Sequence, residues 1–145
     1  METALPPLRY APLGKNEIRV LRISDISRPD AISCTLLHRP RTDADYIALS
    51  YCWGDPKPVV DITVDNQRLG VAQNLGKFLQ SWLTTANEVH RAKCLWIDAV
   101  CINQSDVEEK SVQVSRMWSV YENAGLVIAW LGAGSESTTT AVHTL

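Results

Sequence analysis

The chain carries no excess of charge of either sign, and this absence excludes two kinds of partner. Its 145 residues include 14 Lys and Arg against 16 Asp and Glu, which gives a formal net charge of -2. A surface so balanced offers no basic footprint for nucleic acid. The basic residues are also too few in any one cluster to indicate an anionic membrane surface. We therefore expect neither a nucleic acid nor a membrane as partner.

Long apolar runs and a secretory leader are missing as well. No apolar run approaches the ~20 residues that a helix needs to cross a bilayer. The N-terminal sequence METALPPLRYAPLG has no basic region followed by an apolar core, as a signal peptide would have. The expected location is therefore the cytoplasm, where the thiols of Cys34, Cys52, Cys94 and Cys101 would be reduced.

Motifs for several common chemistries are absent. There is no Gly-rich phosphate fingerprint of the dinucleotide or P-loop type, and Ser50 lacks the Gly-x-Ser-x-Gly elbow of a hydrolase. Cys34 and His38, like His90 and Cys94, have the four-residue spacing of some zinc ligands. Four residues of a strand, such as the one predicted around Cys34, span ~13 Å, which is too far to share one ion. We predict no metal site.

What the chain does have is enough apolar sequence for one folded domain. Hydrophobic residues make up 46% of it and charged residues 21%, which is typical of a globular protein. The strongest apolar stretch is Leu95–Gln104, LWIDAVCINQ, most of which lies in a strand predicted over Ala92–Ile102. Its run of Trp, Ile, Val and Cys indicates a strand buried on both faces. A carboxylate within such a strand, Asp98, needs hydrogen-bonding partners.

Strand and helix patterns alternate along the second half of the chain, which indicates an α/β fold. After a coil over residues 1–16, the patterns predict strands at 18–23, 32–38, 46–52, 59–64, 68–71, 92–102 and 126–131, and helices at about 74–89 and 105–124. We expect a parallel central sheet with right-handed crossovers, flanking helices and appended β-hairpins. A third helix would begin near Ala141, so we expect the domain to be truncated there.

Both predicted helices have an apolar face with helical spacing. The first face carries Leu75, Phe78, Leu79, Trp82 and Leu83, and the second carries Val107, Val114, Met117, Trp118, Tyr121 and Ala124. We interpret both faces as core packing. The second helix begins with a capping box, which is either Ser105 with Glu108 or Asp106 with Glu109.

Three blocks of the sequence resemble the signature blocks of the fungal heterokaryon incompatibility (HET) domain. They are YIALSYCWGDP, LWIDAVCINQSDVEEKSVQVSRMWSVYENAG and VIAWLG, in the family's order, within a match that runs from about Ile18 to Gly132. The resemblance implies a single HET domain over residues 17–145. It also implies a role in the cell-death reaction that follows fusion of genetically different hyphae. Expected partners are other proteins of that pathway or a second copy of the chain.

The HET family is in turn distantly similar to TIR domains, which have a flavodoxin-like fold. Some TIR domains cleave NAD, whereas others act only by assembling into signalling arrays. The similarity therefore implies NAD as a candidate substrate, no required cofactor, and a non-catalytic assembly module as the alternative. The catalytic glutamate of a TIR enzyme follows the third strand, where this chain offers only Glu136.

The first predicted site lies where the strand 46–52 ends, at Tyr51, Trp53, Gly54 and Asp55. Its rings suit stacking on a base or a nicotinamide, and its glycine allows a phosphate to approach the backbone. The alternative is a packed aromatic corner with a tight turn. Both interpretations stay open at this point.

The second predicted site follows the strand 92–102. We interpret Glu109 and Asp98 as candidate catalytic acids, and Cys101, Asn103 and Gln104 as candidate ligand-binding residues. A carboxylate near a ribose stabilises a developing oxocarbenium ion. The alternatives are structural: Asp98 as an acid bonded to backbone amides, Glu109 as a helix-capping residue, and Cys101 as a buried thiol.

Overall fold

The computed structural model describes residues 4–130 and 139–142. The strands are β1 (Glu17–Ile23), β2 (Ser33–Pro40), β3 (Tyr46–Tyr51), β4 (Val59–Val64), β5 (Gln67–Ala72), β6 (Cys94–Trp96), β7 (Leu126–Trp130) and β8 (Thr139–Val142). The helices are α1 (Gln73–Thr85), α2 (Glu88–Arg91), α3 (Asp98–Cys101), α4 (Val107–Ser115) and α5 (Met117–Asn123). No helix of the described part is long and apolar enough to cross a membrane.

The described strands form one mixed eight-stranded sheet in the order β5-β4-β2-β1-β6-β3-β7-β8. β3 is parallel to both of its neighbours, β6 and β7. It is apolar over most of its length because both of its faces are covered, and Ala48 and Leu49 are completely buried. The predicted α/β class and the parallel pairing of these three strands are confirmed, whereas the sheet as a whole is mixed and not parallel.

The two predicted hairpins are also confirmed, but they are part of the sheet and not appended to it. β1 pairs antiparallel with β2, and also with β6. β4 pairs antiparallel with β5, and parallel with β2. In the turn between β4 and β5, Asp65 and Asn66 both have positive φ angles, 52° and 59°. These are the residue types that tolerate the left-handed region in a two-residue hairpin turn without glycine.

The predicted strand over 92–102 is wrong beyond Trp96. β6 has three residues, and the chain then turns into the short helix α3. The Asp98 carboxylate accepts a hydrogen bond from the Ala99 amide at 2.8 Å, and the Cys101 amide donates to the Ile97 carbonyl at 2.7 Å. These local bonds satisfy the backbone without a neighbouring strand, so the apolar run is buried as a strand followed by a helical turn.

The predicted helices are each divided in two. α1 ends at Thr85, and Asn87 caps α2 by accepting a hydrogen bond from the His90 amide. The first apolar face is confirmed, with Leu75, Phe78, Leu79 and Trp82 buried and Leu83 packed against the core. The second helix breaks at Arg116, which has φ -105° and ψ 0°.

The second predicted apolar face is wrong in part. Val107, Val114 and Trp118 are 81%, 50% and 77% exposed. Met117 and Tyr121 pack against the core, and Ala124 is buried. The face of α4–α5 that turns inward carries the buried Gln113, Val120 and Ala124. Of these three, Ala124 was predicted, whereas Gln113 was missed because the prediction followed apolar residues only.

The end of the described chain also differs from the prediction. Residues 139–142 form β8, antiparallel to β7, where we expected a third helix to begin. Three of its four residues, Thr139, Thr140 and Val142, are β-branched, which suits a strand better than a helix. Glu136 lies outside the described residues.

Candidate functional site

A cavity of about 310 Å³ lies beside the carboxyl ends of β3 and β6. We call it the aromatic cavity and define it by Tyr10, Tyr51, Trp53, Asn103 and Gln104, which all line it. The loop after β3, the loop after α3, strand β5 and the N-terminal segment form its walls. Carboxyl ends of parallel strands are the usual place for ligands in α/β folds.

Most of the predicted ligand-binding residues meet at this cavity. Tyr51, Trp53, Gly54, Asn103 and Gln104 line it, although they come from two loops about 50 positions apart in the sequence. Parallel pairing of β3 with β6 brings these loops together. Their proximity is what the sequence predicted, and their role as ligand contacts stays a prediction.

Asp98 lies directly behind Trp53. The Trp53 indole Nε1 donates to the Asp98 carboxylate, at 3.1 Å to Oδ1 and 3.3 Å to Oδ2. The Gln104 side-chain amide donates to the Asp98 carbonyl at 2.9 Å. Burial raises the pKa of the Asp98 carboxyl above its ordinary value, although the hydrogen bonds from Trp53 and Ala99 oppose the shift. Asp98 therefore connects the two loops that line the cavity.

Gly54 allows the backbone conformation of the loop that follows β3. Its φ is +69°, a conformation that side chains with a Cβ rarely adopt. A Cβ added here would lie 2.6 Å from the Asn74 Nδ2 atom, which donates to the Cys52 carbonyl at 3.0 Å. The glycine thus lets α1 hold the loop close to the cavity. It is not evidence for a phosphate.

Two predicted ligand-binding residues are elsewhere. Asp55 is exposed, and its carboxylate accepts a hydrogen bond from the Lys57 amide at 3.1 Å. Cys101 is 1% exposed and lies beneath α3, where its Sγ contacts the Ile97 amide and the Leu95 carbonyl. Burial raises the pKa of the Cys101 thiol to about 12. Neither residue lines the aromatic cavity.

Glu109, the other candidate catalytic acid, is held in an ion pair. Arg19 donates to both of its carboxylate oxygens, at 2.7 Å and 2.8 Å. The Asn103 amide donates to the same carboxylate at 2.7 Å. Asp106, rather than the Glu109 side chain, caps α4 by accepting from the Glu109 amide at 3.0 Å. Glu109 therefore lies behind the loop that carries Asn103.

Sequence reasoning missed Tyr10 and Arg19. Tyr10 lies in a stretch without periodicity, which offers no signal for a cavity wall. Arg19 alternates with apolar neighbours, a pattern that predicts an exposed side chain on a half-buried strand. It is 1% exposed because the N-terminal segment and α4 cover it, with Tyr10 and Glu109 against its guanidinium. The apolar sequence on both sides of Arg19 was the available signal.

The aromatic cavity is electrically neutral in the part of the chain that the structure describes. Its described lining contains aromatic rings, aliphatic side chains, two side-chain amides and the Ser105 side chain, and no Asp, Glu, Lys, Arg or His. Burial also raises the pKa of the Tyr51 hydroxyl, with the negative Asp98 adding to the shift. Over residues 4–130, no three His, Cys, Asp or Glu side chains are grouped to hold a metal ion. The arrangement suits a flat aromatic group.

Comparison with known proteins identifies the family. The sequence model described as heterokaryon incompatibility protein (HET) matches residues 46–145. Heterokaryon incompatibility protein 6, OR allele, of Neurospora crassa is 38% identical over 113 residues, which is 71% of this chain and 17% of that protein. No solved structure matches the chain significantly. Because the family match covers more than half of its residues, the chain belongs to the heterokaryon incompatibility protein (HET) family.

Proposed function

We propose that this chain is the effector domain of a fungal heterokaryon incompatibility protein, which acts in non-self recognition and triggers cell death. The family match over residues 46–145 carries the proposal. The identity of 38% to a relative that is named for heterokaryon incompatibility supports it. The chain spans about a sixth of that relative's length, so the trigger and the partners of a longer protein are not part of the proposal.

Inducible expression in a filamentous fungus tests this function. We expect loss of viability, measured by uptake of a vital dye and by arrest of growth. Leu49→Asp places a charge in the completely buried centre of β3 and should abolish killing. Glu108→Gln, at an exposed position of α4, should leave killing intact. Normal growth with abundant folded protein would contradict the proposal.

As the mechanism of killing we propose cleavage of NAD at the aromatic cavity. The parallel strands lie in the spatial order second-first-third, β6-β3-β7, as do the first three strands of the flavodoxin-like order 2-1-3-4-5. This order supports the finer assignment of the fold as TIR-like. The position of the cavity beside the carboxyl end of β3 and the segment that follows β6 supports a ligand site there.

In this mechanism water hydrolyses the bond between C1′ of the ribose and the nicotinamide nitrogen. That nitrogen keeps the electrons of the broken bond, nicotinamide leaves, and C1′ develops oxocarbenium character. Water adds to C1′ and releases a proton, which leaves ADP-ribose. A carboxylate beside C1′ stabilises the transition state. Of the two candidate acids we favour Asp98, because Arg19 and Asn103 already occupy the Glu109 carboxylate. The Asp98 carboxylate lies behind Trp53, outside the cavity lining, so the Trp53 ring has to move off it before it can face C1′.

Release of nicotinamide from NAD, followed by chromatography, tests the mechanism. We expect Asp98→Asn to lower turnover by at least about 100-fold, since the developing positive charge loses its carboxylate. Glu109→Gln should lower turnover only as far as it disturbs the Asn103 loop. No turnover at high protein concentration would remove the NAD mechanism and leave the proposed role in cell death standing.

A second candidate mechanism is self-association without chemistry. Val107, Val114 and Trp118 on α4–α5 are large apolar side chains exposed to water, and such side chains on consecutive helices are candidates for a contact with another chain. Light scattering should then show assembly that increases with concentration, and Trp118→Ser should weaken it. A strict monomer at all concentrations would contradict this mechanism.

A further inference from the structure

The N-terminal segment, residues 4–16, runs along the outer edge of β5 and reaches the aromatic cavity. The Arg68 amide donates to the Pro6 carbonyl at 2.7 Å, and the Leu8 amide donates to the Arg68 carbonyl at 2.8 Å. The Arg9 amide donates to the Gln67 side chain at 2.8 Å. The segment therefore pairs with β5 through its backbone over a short distance and is not a free lead-in coil.

Tyr10 is the residue through which this segment enters the cavity wall. Its hydroxyl donates to the Val100 carbonyl at 2.7 Å. The Arg19 guanidinium lies over its ring, with 4.7 Å from Cζ to the ring centroid. The Tyr10 hydroxyl and one face of its ring thus contact other residues of the protein. The rest of the side chain lines the cavity.

The buried Arg19–Glu109 pair connects the segment to the opposite loop. Arg19 Nη2 donates both to the Ala11 carbonyl and to Glu109, at 2.8 Å each. Glu109 in turn accepts from the Asn103 amide at 2.7 Å. One ion pair therefore holds two walls of the cavity, namely the segment with Tyr10 and the loop with Asn103.

We infer that the N-terminal segment is an integral wall of the aromatic cavity, with Tyr10 as a ligand-contacting residue and the Arg19–Glu109 pair as the positioning group. Tyr10 and Arg19 precede residues 46–145, which the family model matches. The cavity is therefore incomplete within the matched residues alone. The contact of Tyr10 with a ligand rests on the proposed function, whereas the positioning of the loop does not.

Size and charge of the cavity define the chemical class of the bound group. About 310 Å³ is at the low end for ligand pockets, enough for one ring system with its sugar and too little for a whole dinucleotide. The described lining holds no cationic side chain to bind phosphate. The group inside the cavity is a flat heteroaromatic ring that contacts Tyr10, Tyr51 and Trp53, with any phosphates outside.

Hydrogen exchange of the ligand-free protein tests the positioning role. In Tyr10→Ala the segment loses its anchors at Val100 and Arg19. Exchange over residues 97–105 and 67–72, which contact the anchored segment, should then become about tenfold faster. Tyr10→Phe keeps the ring on Arg19 and should exchange over 67–72 as the unaltered protein does. Arg9→Ala, at an exposed neighbour in the same segment, is the matched control and should leave both stretches unchanged.

Unchanged exchange in Tyr10→Ala at both stretches would overturn the inference. Circular dichroism should show that the variant retains its fold, because the segment lies outside the central parallel strands. If Tyr10→Ala fails to fold, Tyr10→Leu serves as the second variant, since it retains apolar volume but loses the aromatic ring. Exchange in Tyr10→Leu that equals that of the unaltered protein would equally overturn the inference.

Calorimetric titration with carba-NAD, which resists hydrolysis of the nicotinamide bond, tests the ligand contact. We expect Tyr10→Ala to weaken binding roughly tenfold, as loss of one stacking partner does, and Tyr10→Phe to bind within about twofold. Equal binding by Tyr10→Ala and the unaltered protein would overturn the ligand contact and leave the NAD mechanism intact. Absence of binding by the unaltered protein would overturn both the NAD mechanism and the ligand contact, whereas the exchange results decide the positioning role independently.

Discussion

Arg19 of β1 and Glu109 of α4 form a two-pronged ion pair across 90 positions of the sequence. The arginine side chain is 1% exposed and the glutamate side chain 12% exposed. Two charges so far from water are tolerated because each has several hydrogen-bonding partners. The Cys101 and Ala11 carbonyls accept from Arg19, and the Asn103 amide donates to Glu109. The pair joins the first strand to the helix that follows the candidate site.

Removing the negative charge of this pair should destabilise the fold. Glu109→Gln leaves the Arg19 charge buried without its counter-ion, which costs about 3 kcal/mol of the free energy of unfolding. Urea unfolding at neutral pH measures the loss. Glu108→Gln is the matched control on the same helix, and because its side chain is exposed it should change the free energy by less than about 0.5 kcal/mol.

A double variant separates two contributions to the lost stability: the cost of an unpaired buried charge and the loss of the hydrogen bonds of the pair. Arg19→Met with Glu109→Leu removes both charges and should recover much of the stability, since an apolar pair can replace a buried ion pair. Equal free energies of unfolding for Glu109→Gln and the unaltered protein would contradict a buried ion pair that stabilises the fold.

The stability contributed by Asp98 should depend on pH with a definite sign. Burial raises the pKa of its carboxyl above the ordinary value of 3.8, so the folded state binds the proton more tightly than the unfolded state. This stabilisation is complete below pH 3.8 and is lost as the pH rises through the raised pKa. Asp98→Asn removes the dependence.

Urea unfolding over a pH series, compared between the unaltered protein and Asp98→Asn, measures this effect. The difference in free energy of unfolding, unaltered minus variant, should fall with rising pH across that window and then level off. A difference that rises with pH would show that the hydrogen bonds from Trp53 and Ala99, and not burial, determine the direction of the pKa shift of the Asp98 carboxyl.

One cysteine should react in the native protein. Cys52 is exposed, whereas Cys34, Cys94 and Cys101 are buried. Burial raises the pKa of the Cys34 and Cys101 thiols to about 12, so little thiolate is available there at pH 8. Native alkylation followed by mass spectrometry should give a single adduct, which Cys52→Ser removes. Rapid alkylation of Cys101 would instead place it within reach of solvent and revive its predicted ligand-binding role.

Replacing valine by alanine should lower the free energy of unfolding more on the buried side of α4–α5 than on the exposed side. Val120 is 3% exposed and Val114 is 50% exposed. Val120→Ala should therefore lower the free energy of unfolding by roughly 2 kcal/mol, and Val114→Ala by less than about 0.5 kcal/mol. Thermal or urea unfolding of the two variants measures the contrast. A larger cost at Val114 would restore the apolar face predicted from the sequence.

The loops of the candidate site could be predicted because short-range chemistry determines them. Tyr51, Trp53 and Gly54 end a buried strand, and Asn103 and Gln104 end the next apolar run. Two parallel strands then bring both loops to one edge of the sheet. Asp98 was found as a buried acid that needs partners, but its place in α3 rather than in a strand was missed. Its carboxylate bonds the following amide, and hydropathy does not register that bond.

The sequence by itself determined the family, the α/β class, the strands β1–β5 and β7, the start of α1 and α4, and the two loops that line the cavity. Hydrophobic periodicity and turn residues act over a few neighbouring positions, so the local sequence is enough to predict these features. Only the tertiary structure decided that Arg19 is buried against Glu109, that Tyr10 completes the aromatic cavity, and that Trp118 faces water. Each of these depends on which distant element covers a side chain, and that depends on the order of strands in the sheet.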